Sequence, residues 1–235
     1  MGKSILQIKE LRKYYGSGDA QVKALDGVNF EVYEGEMLVL LGNSGCGKST
    51  LLNIIGGMDS PTSGEVLLNG EDISKYNDKK LTQYRKDNIG FIFQFYNLLP
   101  DLTALENVRL SLNGKDEEHK AEKTLELVGL KEKMNHYPSQ MSGGEQQRVS
   151  IARALVKGAS LILCDEPTGA LDDKTGRNVL VLLQKLVREE GQTLVVVTHT
   201  TPIASMANRV LHLRDGKIDF TEINEHPTNA EDIVW

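Results

Sequence analysis

The sequence is short of cysteine, of long apolar runs and of basic charge, and each shortage excludes a class of protein. Its two cysteines, Cys46 and Cys164, have no C-x-x-C or other metal-ligand neighbours, so we expect free thiols in a reducing compartment. The longest apolar runs, such as residues 37–41 and 194–197, have the length of strands and fall far short of the ~18 residues that span a membrane. The first ten residues lack the apolar core of a secretory signal, which predicts a cytoplasmic chain.

The formal net charge of −6 argues against a general binder of nucleic acids, because such proteins usually carry a basic excess. A chain of 235 residues is long enough for one large domain, or for a domain with an inserted sub-domain. The sequence shows no internal repeat and no low-complexity tract. We therefore expect residues 1–235 to form a single domain and no nucleic acid to be a partner.

A phosphate-binding motif occupies residues 42–49, which read Gly-Asn-Ser-Gly-Cys-Gly-Lys-Ser and fit the pattern G-x-x-x-x-G-K-[ST]. A strand is predicted before it at residues 37–41 and a helix after it at residues 48–56, which is the context that the motif requires. Its glycines let backbone N–H groups turn toward phosphate oxygens, Lys48 would reach the β- and γ-phosphates, and the Ser49 hydroxyl would bind Mg²⁺. The alternative is a glycine-rich turn with a surface lysine.

Buried strands alternate with helices along the chain, which favours an α/β fold with a mainly parallel sheet covered on both faces. Many charges at helical spacing mark residues 96–157 as a helical sub-domain inserted between core strands. Residues 219–235 carry five acids and no Lys or Arg, and we expect them to pack loosely. The predicted strands lie within residues 5–11, 28–32, 37–41, 61–70, 89–94, 161–164, 193–198, 210–214 and 217–220. The predicted helices are residues 48–56, 103–112, 117–128 and 176–190.

Polar side chains stand at the ends of three predicted apolar strands. Asp165 ends one of them, where a carboxylate facing the phosphate loop can support Mg²⁺, and Glu166 beside it can deprotonate the attacking water. His199 would hydrogen-bond the γ-phosphate or that water, and Gln94 would ligate Mg²⁺ or water through its amide oxygen. Each also fits a plainer role: a solvated acidic turn before Pro167, a structural histidine or an isolated glutamine.

A further helix is predicted to begin with Ser142-Gly143-Gly144-Glu145. Ser142 at the N-cap and Glu145 at the third position form the pattern of a capping box. That pattern does not explain the two glycines, each of which is unfavourable by roughly 1 kcal/mol relative to alanine in a helix. Paired glycines favour close approach of a ligand to the backbone, and helix N-termini bind anions. Both interpretations can hold together.

Together these residues resemble the nucleotide-binding domain of ATP-binding-cassette (ABC) proteins, over about residues 5–220. The resemblance implies a P-loop NTPase fold with an N-terminal antiparallel β sub-domain, a mainly parallel RecA-like core sheet and the inserted helical sub-domain. The motifs follow the family's order along the chain. They are an aromatic loop at Tyr15, the phosphate loop at residues 42–50, a Q-loop at Gln94, the signature at residues 141–148, a Walker B strand ending at Asp165 and Glu166, the D-loop at residues 170–172 and a switch histidine at His199.

The resemblance also implies how the site works. Tyr15 would stack on adenine, with Tyr14 as the alternative. Two copies would associate head to tail in the ATP-bound state, each ATP lying between the phosphate loop of one copy and residues 142–144 of the other. The implied catalytic residues are Glu166, His199, Lys48 and Gln94, and the implied metal-binding residues are Ser49, Gln94 and Asp165. The implied ATP contacts are Tyr15, Gly42, Asn43, Ser44, Gly45, Cys46, Gly47, Lys48, Ser49, Thr50, Gln94, Ser142, Gly143, Gly144 and His199.

Within the family, residues 51–57, 89–100 and 165–172 resemble the macrolide-exporter and lipoprotein-release subgroup. That resemblance implies an active ATPase with ATP and Mg²⁺, a homodimer with ATP bound, and a separate membrane permease with an extracytoplasmic domain. The subunit would sit on the cytoplasmic face of the cell membrane, or in the cytoplasm when free, and drive export or transmit motion across the membrane.

The alternative is a soluble ABC ATPase acting on DNA or ribosomes. Such proteins usually have a long coiled-coil insertion or two cassettes on one chain, and this sequence shows neither, while its acidic charge also disfavours that role. The sequence departs from the subgroup's usual pattern at Asn43 and Cys46 in the phosphate loop, at Met141 and Glu145 in the signature, and in a short segment after Asn107.

Overall fold

The computed structural model describes residues 2–112 and 117–233. Its strands form two sheets, and the larger sheet is covered on both faces. Within the described residues the strands are β1 (Ser4–Tyr15), β2 (Val22–Tyr33), β3 (Met37–Leu41), β4 (Ser63–Leu68), β5 (Glu71–Asp72), β6 (Ile89–Ile92), β7 (Leu161–Asp165), β8 (Leu194–Thr198), β9 (Arg209–Arg214) and β10 (Lys217–Ile223). The α-helices are α1 (Lys48–Ile55), α2 (Asp78–Asn88), α3 (Ala104–Arg109), α4 (Glu117–Leu127), α5 (Gly143–Leu155), α6 (Asp173–Arg188) and α7 (Thr201–Ala204).

The smaller sheet has the order β2-β1-β4-β5 and is antiparallel throughout, which confirms the predicted β-rich start. Its core side carries buried apolar residues of β1 such as Leu6 and Ile8. Strands β1 and β2 are each 12 residues long and exceed the predicted ranges. They do so because backbone pairing continues past the apolar stretch, out to the pair Tyr15 and Val22.

The larger sheet has the order β10-β9-β3-β8-β7-β6 and is parallel except for the β9–β10 hairpin. Every residue of β3 and β8 is buried, as expected of parallel strands covered on both faces. Leu41 pairs with Thr198 and Asp165 pairs with Val197, so β3, β8 and β7 end side by side. The residues that follow these strands therefore meet at one edge of the sheet, and the predicted fold class is confirmed.

Two apolar cores lie on opposite faces of the larger sheet. Leu38 and Leu40 of β3 face a core shared with α1 and the smaller sheet. Val39, the residue between them, faces the other core, which holds apolar side chains of α3, α4, α5 and α6. Burying one such Leu or Val side chain stabilises the fold by about 1.5–3 kcal/mol. The two cores thus hold the strand ends in fixed positions relative to one another.

Helices α3, α4 and α5 lie between β6 and β7 along the chain, in the region predicted as a helical sub-domain. A capping box of Thr103 and Glu106 starts α3, and their backbone and side-chain groups are reciprocally hydrogen-bonded. Contacts of α5 with α3, α4, α6 and β6 connect this region to the core. Residues 113–116 of the predicted sub-domain lie outside the described residues.

Sequence patterning misses α2 and the first turn of α6. Only Leu81 and Tyr84 of the 11 residues in α2 are buried, so the helix has too little apolar periodicity to be recognised. Helix α6 begins at Asp173, before the predicted start at residue 176, because the Asp172 carboxylate caps its first turn by accepting the Thr175 N–H at 3.0 Å. In the part of the chain that the structure describes, no helix has both the length and the apolar character needed to cross a membrane.

The expectation that residues 219–235 pack loosely is wrong for much of that segment. Ala230 and Ile233 are buried in the core that contains α6. The Gln184 side chain fixes the segment from both sides, since its amide donates to the Thr228 carbonyl at 2.8 Å and its oxygen accepts the Ala230 N–H at 2.9 Å. The acidic composition of the segment led to the wrong expectation, because it did not reveal that these two apolar residues are buried. Residues 234 and 235 of the predicted tail lie outside the described residues.

Candidate functional site

The ends of β3, β7 and β8 open onto one cavity of about 820 Å³. Strand β3 leads into the phosphate loop, β7 ends at Asp165 and is followed by Glu166, and β8 is followed by His199. The lining residues are Val22, Lys23, Ala24, Asn43, Ser44, Gly45, Gly47, Lys48, Ser49, Thr50, Gln94, Asp165, Glu166, His199, Asp215 and Gly216. The structure therefore brings the four predicted catalytic residues, Lys48, Gln94, Glu166 and His199, around one space.

Helix α1 begins at the phosphate loop. Its N-cap Gly47 has a φ of 107°, and a Cβ there would lie 2.3 Å from the Ala24 carbonyl oxygen, so both the conformation and the space require glycine. No side chain caps this end of α1, which leaves its first N–H groups and the positive end of the helix dipole to an anion. The buried Lys48 ammonium donates to the carbonyl oxygens of Gly42 and Asn43 at 2.7 and 2.9 Å. The loop thus concentrates positive charge where a phosphate would bind.

Three oxygen donors of the same cavity match the chemistry of Mg²⁺. They belong to Ser49, Gln94 and Asp165. Burial raises the pKa of the Asp165 carboxyl and the adjacent Glu166 charge raises it further, whereas Lys48 and Ser49 lower it. Two neighbouring carboxylates in a partly buried place repel each other, and a divalent cation relieves that repulsion. Hydroxyl, amide and carboxylate oxygens are ligands that suit Mg²⁺, so this donor set fits the ion.

The Glu166 carboxylate is held from two sides. Its Oε1 lies 2.7 Å from Nδ1 of His199, and its Oε2 accepts a hydrogen bond from the Thr198 hydroxyl at 3.2 Å. The residue has a φ of 47°, a left-handed conformation that is uncommon outside glycine and that collects at functional sites. Sequence reasoning missed Thr198, because a threonine at the end of a β-branched run looks like an ordinary strand residue.

The predicted aromatic residue lies outside the residues that line this cavity. The Tyr15 hydroxyl donates to the Asp59 carboxylate at 2.7 Å, and the Lys13 ammonium lies 4.8 Å from the centroid of the Tyr15 ring. The hydroxyl of the alternative, Tyr14, donates to Asp26 at 2.5 Å. Which of the two stacks on adenine stays a prediction. Sequence motifs do not identify the lining residues 22–24 and 215–216, which reach the cavity from β2 and from the β9–β10 turn.

Two predicted contacts in the phosphate loop, Gly42 and Cys46, face a neighbouring cavity of about 540 Å³. That cavity shares five lining residues with the first one: Asn43, Ser44, Gly45, His199 and Asp215. Gly42 nevertheless belongs to the phosphate loop's hydrogen-bond network, because its carbonyl accepts from Lys48.

The start of α5 also lies outside both cavities. Its predicted capping box is present: the Ser142 hydroxyl accepts the Glu145 N–H, and the Glu145 carboxylate accepts the Ser142 N–H at 2.8 Å. Packing within the chain gives a second reason for glycine here, because a Cβ at Gly144 would lie 2.2 Å from Cγ2 of Thr175 in α6. Close packing between helices within the chain therefore accounts for Gly144. At Gly143 a Cβ would lie 2.8 Å from the hydroxyl oxygen of Tyr96.

The known proteins that this chain resembles are ATP-binding proteins of ABC transporters. The family model described as "ABC transporter" matches residues 25–169. The chain is 48% identical to the lipoprotein-releasing system ATP-binding protein LolD of Geobacter metallireducens, covering 92% of this chain and 98% of that protein. It is 45% identical to the macrolide export ATP-binding/permease protein MacB of Escherichia coli K12, over 91% of this chain but only 34% of that protein. A dimeric post-hydrolysis structure of the Methanocaldococcus jannaschii cassette MJ0796 with ADP and Pi is 43% identical, with a TM-score of 0.85 over 94% of this chain and 99% of that one.

Proposed function

The chain belongs to the ABC transporter family as an ATP-binding, ATP-hydrolysing subunit, and we propose that two copies act head to tail to drive export or mechanotransmission by a separate membrane permease. The observation that carries this proposal is that the two helix N-termini predicted to bind phosphate, at the starts of α1 and α5, lie apart within one chain. The start of α1 lines the cavity with the catalytic residues, whereas the start of α5 does not. A second copy can supply its α5 to the cavity of the first, as a dimer of cassettes would require.

Each cavity residue has a role in this proposal. Lys48 and the N–H groups at the start of α1 hold the β- and γ-phosphates by charge and hydrogen bonding. Glu166 takes a proton from the attacking water, and His199 holds the carboxylate and contacts the γ-phosphate or that water. Mg²⁺, held by Ser49, Gln94 and Asp165, would neutralise charge on the phosphates. Tyr15 would supply the adenine contact.

The proposed partner is a membrane permease with an extracytoplasmic domain. Two features support it: the likeness to LolD over the whole chain, and the likeness to one third of MacB, whose name combines an ATP-binding part with a permease. The subunit would then be bound at the cytoplasmic face of the membrane through its permease.

Glu166→Gln tests the hydrolytic mechanism. The amide cannot accept the proton of water, so we expect turnover to fall by about a hundredfold to ten-thousandfold. ATP binding should persist, and the ATP-bound variant should dimerise in light scattering with saturating Mg·ATP. Glu190→Gln, an exposed position beyond α6, is the matched control and should keep full activity. Near-normal hydrolysis by Glu166→Gln would remove Glu166 as the base.

Purification from native membranes tests the partner. The Glu166→Gln chain is isolated with Mg·ATP and its companions are identified by mass spectrometry. A stoichiometric membrane protein is expected, and its extracytoplasmic domain would indicate the cargo. Recovery of ribosomes, of DNA-bound protein or of the subunit alone would contradict the permease proposal.

A further inference from the structure

We propose that Thr198 is a positioning residue for hydrolysis, which holds the Glu166 carboxylate in place through a buried hydrogen bond. The inference rests on the proposed role of Glu166 and adds a residue that no motif of the sequence marks. Thr198 is the last residue of β8 and is fully buried. Its hydroxyl lies 3.2 Å from Oε2 of Glu166.

The sheet places the two residues next to each other. Strands β7 and β8 are parallel neighbours, and the pair Asp165 and Val197 is the last in their register. The pairing continues for one more backbone bond, because the Glu166 N–H donates to the Val197 carbonyl at 3.0 Å. Glu166 is thereby fixed beside the end of β8, where the Thr198 side chain is available to its carboxylate.

The direction in which the Thr198 hydroxyl proton points follows from the second hydrogen bond of that hydroxyl, which is with the Thr200 backbone. The Thr200 N–H donates to the Thr198 oxygen at 3.0 Å, so one lone pair of that oxygen is occupied. Glu166, as the proposed base, accepts at Oε2, and the Thr198 hydroxyl is the donor of this bond. The Thr198 proton therefore points at Oε2, in a chain that runs from the Thr200 backbone to Thr198 and on to Glu166.

The two contacts to the carboxylate differ in their exposure to water. The His199 side chain is 67% exposed, so water competes for its bond to Oε1, whereas Thr198 is shielded. A hydrogen bond shielded from water is stronger and keeps a more fixed geometry. Since Glu166 has a strained backbone, a fixed partner is needed to keep its carboxylate in a single orientation. Thr198 meets that need from within the same chain.

Thr198→Val keeps the shape and removes the hydroxyl, so it is the primary test. A hydrogen bond to a charged group contributes enough that kcat should fall about tenfold, while KM for ATP and nucleotide binding stay within about twofold. Thr198→Ser retains the hydroxyl and should recover most of the lost kcat. Activity is measured at saturating ATP over a series of protein concentrations, so that dimerisation does not limit the rate.

The matched control is Thr193→Val, at the residue just before the same strand. Thr193 is also buried, and its hydroxyl accepts the Gly35 N–H at 3.0 Å, at the end of the sheet away from the cavity. It should lower the melting temperature but leave kcat unchanged. Full kcat in Thr198→Val, equal losses in the Val and Ser variants, or a loss of kcat matched by lost nucleotide binding would each overturn the inference. Glu166→Gln, assayed in parallel, separates the two questions: an active Glu166→Gln removes the base itself, whereas an inactive Glu166→Gln beside a fully active Thr198→Val removes only the positioning role.

Discussion

Helices α1 and α5 each follow a small N-cap residue, Gly47 and Ser142, yet their N-terminal N–H groups are capped in opposite ways. The α1 end has glycine at the N-cap, in a left-handed conformation, and no side-chain cap. The α5 end has Ser142 and Glu145 joined in a complete capping box. The N–H groups in the first turn of α1 remain available to an external anion. In α5 the Ser142 hydroxyl already accepts one such N–H, and the Glu145 carboxylate adds a negative charge to the same turn.

The difference supports the proposal that the α1 end is the primary phosphate site. Hydrogen bonds from the backbone N–H and the hydroxyl of Ser142 lower the pKa of the Glu145 carboxyl, so Glu145 is ionised at neutral pH. A negative charge in the first turn stabilises α5 without any ligand and weakens its attraction for phosphate. The α1 end, with Lys48 beside it, has the opposite charge. This contrast agrees with the proposal that the α1 end binds nucleotide by itself and that the α5 end adds its contact from a second chain.

The largest effect is expected from mixing two inactive variants. Lys48→Ala removes the phosphate contact of α1 and Gly143→Asp places a charge at the start of α5, and each alone should lower hydrolysis by about a hundredfold or more. In a head-to-tail pair that contains one of each, one composite site keeps Lys48 from one chain and an intact α5 from the other. With random exchange, about a quarter of wild-type activity should return, since half the pairs are mixed and each has one of two sites intact.

A mixture of Lys48→Ala with the double variant Lys48→Ala/Gly143→Asp has no intact composite site and serves as the control. ATPase assays of the two mixtures and of the wild-type protein at equal total protein make the comparison. If the mixture of single variants is as inactive as the control, then the α1 end of one chain and the α5 end of another do not bind the same ATP. Such a result would break the contrast between α1 and α5.

Sequence alone predicts the α1 end more fully than the α5 end, because the features of the α1 end lie next to one another along the chain. The phosphate loop, its flanking strand and its helix are contiguous, so motif and context confirm each other within residues 37–56. Likewise the capping box of Ser142 and Glu145 spans four neighbouring residues and is confirmed. The packing of Gly144 against Thr175 joins two helices that the sequence separates by 31 positions, and no pattern in either segment reveals it.

The same distinction holds for the rest of the fold and the site. Strands β3 and β8 are predicted within a residue of their ends because every side chain in them is buried and all except Thr198 are apolar. The α2 helix and the docked tail escape prediction because each is held by only a few buried residues in a polar segment. Thr198 escapes for a related reason: its role depends on a neighbouring strand that lies 32 residues away along the chain.

A smaller effect is expected at Tyr15, the proposed adenine contact. Tyr15→Ala should weaken ATP binding to the isolated chain about tenfold, because stacking of an aromatic ring on a base contributes about 1–3 kcal/mol. Tyr15→Phe keeps the ring but loses the hydrogen bond to Asp59, and should bind nearly as well as wild type. Titration with a fluorescent ATP analogue gives both constants. A larger loss in Tyr14→Ala than in Tyr15→Ala would transfer the stacking role to Tyr14.

The smallest effect, and the one whose sign is informative, is expected at Gly144. If this glycine served only to let a ligand approach, Gly144→Ala would stabilise the free chain by up to about 1 kcal/mol, because alanine favours a helix. The structure predicts the opposite sign, since the new methyl would meet Cγ2 of Thr175, and overpacking of this kind costs about 1–3 kcal/mol. Urea unfolding of the nucleotide-free chain should therefore show a net loss of about 1 kcal/mol. Thr175→Ser removes that Cγ2, keeps the N–H that Asp172 caps, and should restore stability in the double variant. A Gly144→Ala chain more stable than wild type would return Gly144 to a role in ligand contact, and the α5 end would then resemble the α1 end.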